Sequence, residues 1–214
     1  MLHGWGGNAD SWAPISPYFR HYYQVLTPEF ACPPATVYTL DDYVRDLERY
    51  LAEHQVTRCA VVAHSFGARL VAVLNAKRPD LFSKIVITGG AGLKPRFSLR
   101  VWLKVRWFKL RRKLFGATDG GSAEYRALDA NGQATFRHII NRDLAPEIAT
   151  ITAPLLLING DRDTATPVSM AKRWQKLATK SARCRLQIYR GYGHFAYLES
   201  RARFIKDVAE WLDE

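Results

Sequence analysis

Hydrophobic positions along the chain switch repeatedly between two rhythms. Short runs with the pattern of strands, some apolar throughout and some alternating, occupy residues 24–28, 59–63, 84–88, 154–158 and 185–189, each bounded by turn or loop residues. Runs of that length read as strands, and the uninterrupted ones as strands buried on both faces. Between them the rhythm lengthens to the helical one. Leu40, Tyr43, Val44, Leu47, Tyr50 and Leu51 recur on one face, and charged residues from Asp41 to Arg49 fill the other. Thr39 is placed to cap that helix. A second helix covers 69–76 and stops at Pro79. Thr166 and Pro167 mark a third start, a cap followed by proline at the first helical position, for a helix through Trp174 and Leu177. Phe204, Val208, Trp211 and Leu212 share one face of a closing helix. Residues 8–19 predict a short helix limited by Pro14 and Pro17, and 31–37 a loop. Strands separated by helices predict the α/β class, a mostly parallel sheet flanked by helices on both sides.

The alternation breaks over residues 94–143, which read as all-helical and bounded by loops. This divides the chain into a core, residues 1–91 and 144–214, and a helical lid insert, residues 92–143. Charge collects in the same place. The chain carries a net +11, yet nine Lys or Arg and no acid lie between Lys94 and Lys113. Leu99, Leu103, Trp107, Leu110 and Leu114 make an apolar stripe there, with basic residues on either side. Such a helix is a lid with a solvated basic face, or else a dock for an anionic partner, an acyl carrier protein or a membrane surface. Nucleic acid is not expected, because no reader motif accompanies the charge. Tyr125, Phe136 and His138 in the rest of the insert are candidates to line an acyl pocket.

Composition adds a compartment. No apolar run is long enough to span a bilayer, and residues 1–6 lack the basic start and apolar stretch of a secretory signal. Three widely spaced cysteines, Cys32, Cys59 and Cys184, suit a reducing cytosol and show no metal spacing. A cytoplasmic protein without metal or cofactor is expected.

In a parallel sheet, sites form beyond the carboxyl ends of the strands. That rule selects the turns at Gly4-Trp5, at Ser65, from Asp161 to Thr164, and at His194. Ser65 follows a buried strand, stands between Ala63 and Gly67 two residues away on either side, and opens a helix. A serine on such a sharp strand-to-helix turn is a nucleophile elbow; its alternative is a plain helix cap. Serine needs a base to take its proton, and His194 can serve if a carboxylate orients its ring. Asp161 and Asp163 both follow the preceding strand; the alternatives are a capping aspartate and a surface-loop histidine. A developing oxyanion needs two backbone N–H donors. Phe66, just after the serine, supplies one, and the early glycine turn the other. His64 adjoins the serine and is expected to point away from it as a structural residue.

His3-Gly4-Trp5-Gly6-Gly7, Ala63-His64-Ser65-Phe66-Gly67, Gly160-Asp161-Arg162-Asp163 with Pro167, and Gly193-His194-Phe195 stand in the order Ser…Asp…His. With these pieces the chain resembles the α/β-hydrolase superfamily over nearly its whole length. The resemblance implies that Ser65, Asp163 and His194 form a catalytic triad. It makes Asp163 the acid, three residues after Gly160, with Asp161 a turn residue. It makes the Trp5 and Phe66 N–H groups the oxyanion hole, with His3 structural. The family has two strands and most of a third before the His-Gly turn, where this chain has Met1 and Leu2. The expectation is therefore an N-terminally truncated α/β-hydrolase fold, or a start assigned late, with a sheet edge exposed beside the nucleophile strand. The activity implied is that of a serine hydrolase, acting on a small-molecule carboxylic ester or thioester through an acyl-enzyme on Ser65. Serine in place of aspartate at the elbow argues against dehalogenase and epoxide hydrolase chemistry. Peptidase, carbon–carbon hydrolase and haloperoxidase activities share the triad, and a non-catalytic binding protein that kept these residues is the competing class.

Overall fold

The computed structural model describes residues 1–31, 36–94 and 128–214. Four parallel strands, β1 (Cys59–His64), β2 (Phe82–Thr88), β3 (Leu155–Gly160) and β4 (Cys184–Tyr189), form one sheet in sequence order. Side chains alternate across a strand, and each apolar run divides accordingly. Val61, Ala63, Ile85, Ile87, Leu155 and Leu157 enter one core, whereas Val62, Val86, Leu156 and Ile158 enter another on the opposite face. Both faces of β1 to β3 are covered, which is why their runs carry no polar residue at every second position, whereas β4, at the end of the sheet, has Arg185 and Gln187 and is only partly buried.

The first core is closed by α2 (Leu40–Glu53), α3 (Phe66–Lys77), α5 (Ala145–Ile148) and α6 (Val168–Leu177). The second is closed by a 3-10 turn (Ala9–Trp12), α1 (Ser16–Arg20), α7 (Ala196–Glu199) and α8 (Arg201–Asp213), which bring Trp12, Phe19, Tyr197, Phe204 and Trp211 together. Thr39 caps α2 as its sequence predicts. It accepts from the Asp42 N–H, and Asp42 accepts the Thr39 N–H at 2.8 Å.

Three sequence expectations change. The predicted helix over 8–19 forms as two short pieces, the 3-10 turn and α1. Residues 24–28 make no ladder; Leu26 instead accepts a hydrogen bond from the Met1 ammonium. The neighbouring edge of β1 is met by Leu2, which bridges Ala63 in parallel and exchanges hydrogen bonds with Val62 and His64. An extended segment needs a free strand edge to become a strand, and an apolar pattern does not supply one. Third, α6 starts at Val168 with Pro167 in the capping position, so the Thr166 hydroxyl is not spent on a cap.

Helix α4 (Ala130–Asn141), capped by Asp129 through the Gly132 N–H at 2.7 Å, lies in the predicted insert. The basic helix with its Leu99–Leu114 stripe, and Tyr125, lie outside the described residues, as does Cys32. No helix among the described residues is long and apolar enough to cross a membrane.

Candidate active site

Ser65 sits between β1 and α3 with φ at +49°, a left-handed conformation that non-glycine residues seldom adopt. Its N–H is held by the Thr88 carbonyl at 3.1 Å. The turn is tight on its far side too. A Cβ on Gly67 would lie 2.7 Å from the Leu2 carbonyl oxygen and 2.9 Å from the Leu2 Cβ, so that position admits only hydrogen. Ala63, where the family pattern has glycine, keeps its methyl within the first core. Strain of this kind persists only where surrounding structure holds it, and it concentrates at functional sites.

Beside the elbow runs the early glycine turn, closed by the Gly7 N–H on the Gly4 carbonyl at 3.1 Å. His3 clamps it. Nδ1 lies 2.7 Å from the Gly4 carbonyl oxygen, and the Phe30 N–H meets Nε2 at 3.1 Å. A carbonyl only accepts and an N–H only donates, so the proton is on Nδ1 and the ring is neutral. Burial pushes the His3 pKa down in the same direction, against the Gly4 hydrogen bond and Glu29. The backbone N–H groups of Trp5 and Phe66 find no acceptor among the described residues. Phe66 is the first residue of α3, where helix N–H groups have no partner within the helix. The Trp5 ring packs edge-on against Phe66 at 5.4 Å and lies 5.5 Å from Phe136.

The loops after β3 and β4 come together at Gly160. A Cβ there would fall 2.2 Å from the Tyr192 carbonyl oxygen and 2.3 Å from that of Gly193, so the backbones pass in contact. This contact delivers Asp163 to His194. Asp163 Oδ2 accepts from His194 Nδ1 at 2.8 Å and from the Thr166 hydroxyl at 2.7 Å. Its Oδ1 accepts the N–H groups of Ala165 at 2.9 Å and Thr166 at 2.8 Å. Burial works to raise the Asp163 pKa, but hydrogen bonds from His194 and Thr166 outweigh it and hold the carboxyl below its ordinary value. Asp161 turns elsewhere and accepts the Gly191 N–H at 2.7 Å.

His64 packs against His194. It is 2% exposed, its ring centroid is 4.7 Å from that of His194, and its Nε2–H donates to the His194 carbonyl at 3.2 Å. Burial first, and then the neighbouring His194, depress its pKa to about 3. It stays neutral and supports the loop that carries His194.

Ser65, His194, Trp5, Phe66, Phe136 and Phe195 share the wall of one cavity of about 630 Å³. No hydrogen bond joins Ser65 to His194 among the described residues. Of the pocket candidates in the insert, Phe136 lines this cavity, and His138 lines a separate surface depression with Thr39 and Asp41. Among the described residues no three His, Cys, Asp or Glu gather in a metal-binding cluster. Cys59 and Cys184 are half-buried free thiols, and burial raises both, Cys184 to about 11, so neither is a thiolate at neutral pH.

Two residues of this site escape a reading of the chain alone. Thr166 mimics a helix cap in sequence, yet its hydroxyl bonds Asp163 and lies 3.2 Å from His194 Nδ1. Arg69 also lines the cavity. Its signal was present as a charge within an otherwise apolar helix.

The fold and these turns define the class. The chain belongs to the alpha/beta hydrolase family, whose model matches residues 1–207. Strigolactone esterase RMS3 of Pisum sativum is 36% identical over 106 residues. That match covers 45% of this chain and 39% of the esterase, so the chain spans well under half the length of this curated relative. A meta-cleavage product hydrolase from Pseudomonas fluorescens superposes with a TM-score of 0.73 at 19% identity, covering 99% of this chain and 89% of that one. A bromoperoxidase from Bacillus anthracis superposes with a TM-score of 0.77 at 18% identity, covering 100% and 90%. At such identities the two structures share the fold, which hosts all three chemistries.

Proposed function

We propose that the protein is a serine hydrolase that cleaves a carboxylic ester or thioester through an acyl-enzyme on Ser65. Ser65 Oγ attacks the scissile carbonyl while His194 Nε2 takes its proton. Asp163 holds His194 by Nδ1–H, which leaves Nε2 free as the base and stabilises the imidazolium that forms. The tetrahedral oxyanion receives the Trp5 and Phe66 N–H groups. His194 then returns the proton to the leaving alcohol or thiol, and the carbonyl–leaving-group bond breaks. A water attacks the acyl-enzyme with the same base, releasing the acid and restoring Ser65.

One observation carries this reading: a buried aspartate holds Nδ1 of a histidine that shares a cavity wall with a serine on a strained elbow. The resemblance to an esterase over 106 residues supports ester chemistry over the carbon–carbon and peroxidative alternatives. A fluorophosphonate probe and an aryl ester test it. Labelling at Ser65, a burst of aryl alcohol, and loss of both in Ser65→Ala are expected. Labelling that survives in Ser65→Ala removes Ser65 from the mechanism.

A further inference from the structure

In α3 every residue from Phe66 to Asn75 is buried, and Arg69 is the one charged side chain among them, only 7% exposed. Burying a guanidinium costs several kcal/mol unless partners compensate. Among the described residues the partners of Arg69 are few. Nη1 donates to the carbonyls of Ile139 at 2.8 Å and Arg142 at 3.3 Å, at the end of α4. The partial negative charge at a helix C-terminus offsets part of the cost. No carboxylate lies within ion-pairing distance among the described residues, and Asp143 acts only at longer range. Nε and Nη2 have no acceptor among them. Burial pushes the Arg69 pKa down to about 10, which leaves it charged at neutral pH.

The cavity supplies the rest. Among its described lining residues Arg69 is the only Lys, Arg, Asp or Glu, so the described part of the wall holds one fixed positive charge and no fixed negative one. Arg69 follows Ser65 by four residues, about one helical turn or ~6 Å along α3. Nε and Nη2 lie on one edge of a planar fork, the geometry that a carboxylate meets with both oxygens. Against these described residues a phosphate dianion would leave one charge unpaired.

From this we infer that Arg69 is a carboxylate-recognition residue, and that the substrate is an ester or thioester bearing a free carboxylate a few carbons from the scissile carbonyl. This rests on the reading of Ser65 as nucleophile, and the test separates the two. The first arm needs no chemistry. Glutarate is titrated onto the full chain against neutral glutaramide and inorganic phosphate, with Trp5 in the cavity wall as fluorescent reporter. Saturable binding of glutarate alone, weakened at least tenfold in Arg69→Gln and partly restored in Arg69→Lys, is expected. The second arm compares kcat/KM for an aryl hemi-ester of glutaric acid and for the aryl valerate. The parent should prefer the anionic ester about 10- to 100-fold, and Arg69→Gln should collapse that ratio. A parent with no preference for the anionic ester overturns the proposal. So does an Arg69→Gln that slows both esters equally, which would make Arg69 only a tie between α3 and α4. Preferential phosphate binding overturns the choice of carboxylate. Glutarate binding without fluorophosphonate labelling of the parent would uphold the Arg69 site while removing the hydrolase reading.

Discussion

Thr166→Val removes one hydroxyl from the wall of the cavity and nearly keeps the outline of the side chain. In the parent that hydroxyl donates to Asp163 Oδ2 at 2.7 Å, on a side chain 4% exposed. A hydrogen bond to a charged group is worth about 1.5–3 kcal/mol. If it acts fully in the transition state, where the His194 imidazolium leans on Asp163, kcat should fall by about 10- to 100-fold, at roughly 1.4 kcal/mol per decade. A larger loss is not expected, because the Ala165 and Thr166 N–H groups still hold Oδ1. Thr166→Ser keeps the donor and should recover most of the rate. Stability carries a second signature. Asp163 is held below the ordinary carboxylate value, so its contribution is present above about pH 4 and is lost as pH falls through the depressed pKa. The variant lacks one of the bonds that depress it. The Tm gap between parent and variant should therefore be widest near neutrality and close in acid. The measurements are aryl-ester turnover and Tm by circular dichroism across pH. Unchanged kcat in Thr166→Val, or a serine variant no better than the valine one, would refute a positioning role for this hydroxyl.

Asp163→Asn should cut aryl-ester turnover by about 10⁴, as in a comparable serine protease triad, whereas Asp161→Asn, which loses one bond to the Gly191 N–H, should cost far less. Steady-state kinetics would show the wrong carboxylate by the reverse ranking. Gly160→Ala should displace the loop that bears His194, because the new Cβ would sit 2.2 Å from a backbone oxygen; a folded variant with full turnover contradicts the close approach. His64 should make the fold acid-sensitive. Its pKa is depressed to about 3, so its stabilising effect is complete above the unfolded value near 6.5 and drains away as pH falls toward 3. His64→Gln should flatten the Tm profile across that window, and an unchanged slope would place the sensitivity elsewhere.

Much of this architecture is legible in the chain because it is local. The 59–63, 84–88 and 154–158 runs became β1 to β3 because a strand buried on both faces needs an apolar stretch, whereas 185–189, Arg-Leu-Gln-Ile-Tyr, alternates and became β4 at the end of the sheet, where its side chains are only partly covered. The Thr39 cap was readable because its partner, Asp42, is three residues away. The order of the serine, aspartate and histidine turns was readable for a related reason. In a parallel sheet all such turns emerge at one end, so sequence order alone places them together.

What escaped the sequence depends on groups far apart along the chain. Residues 24–28 have a strand's pattern, but a ladder needs an edge, and Leu2 meets the edge of β1. Thr166 has a cap's chemistry at the right spacing before α6. Only the contact at Gly160 brings His194, 28 residues on, within reach of its hydroxyl. His64 is adjacent to the serine in sequence, and its partner is 130 residues away. Arg69 stands out in an apolar helix, but its role depends on carbonyls about 70 residues later and on a cavity that does not exist until α3 and α4 pack. Periodicity and turn chemistry are set by neighbouring residues and survive in the one-dimensional record. The partner of a buried polar group is set by which segments the core forces into contact, and that is decided only when both faces of the sheet are closed.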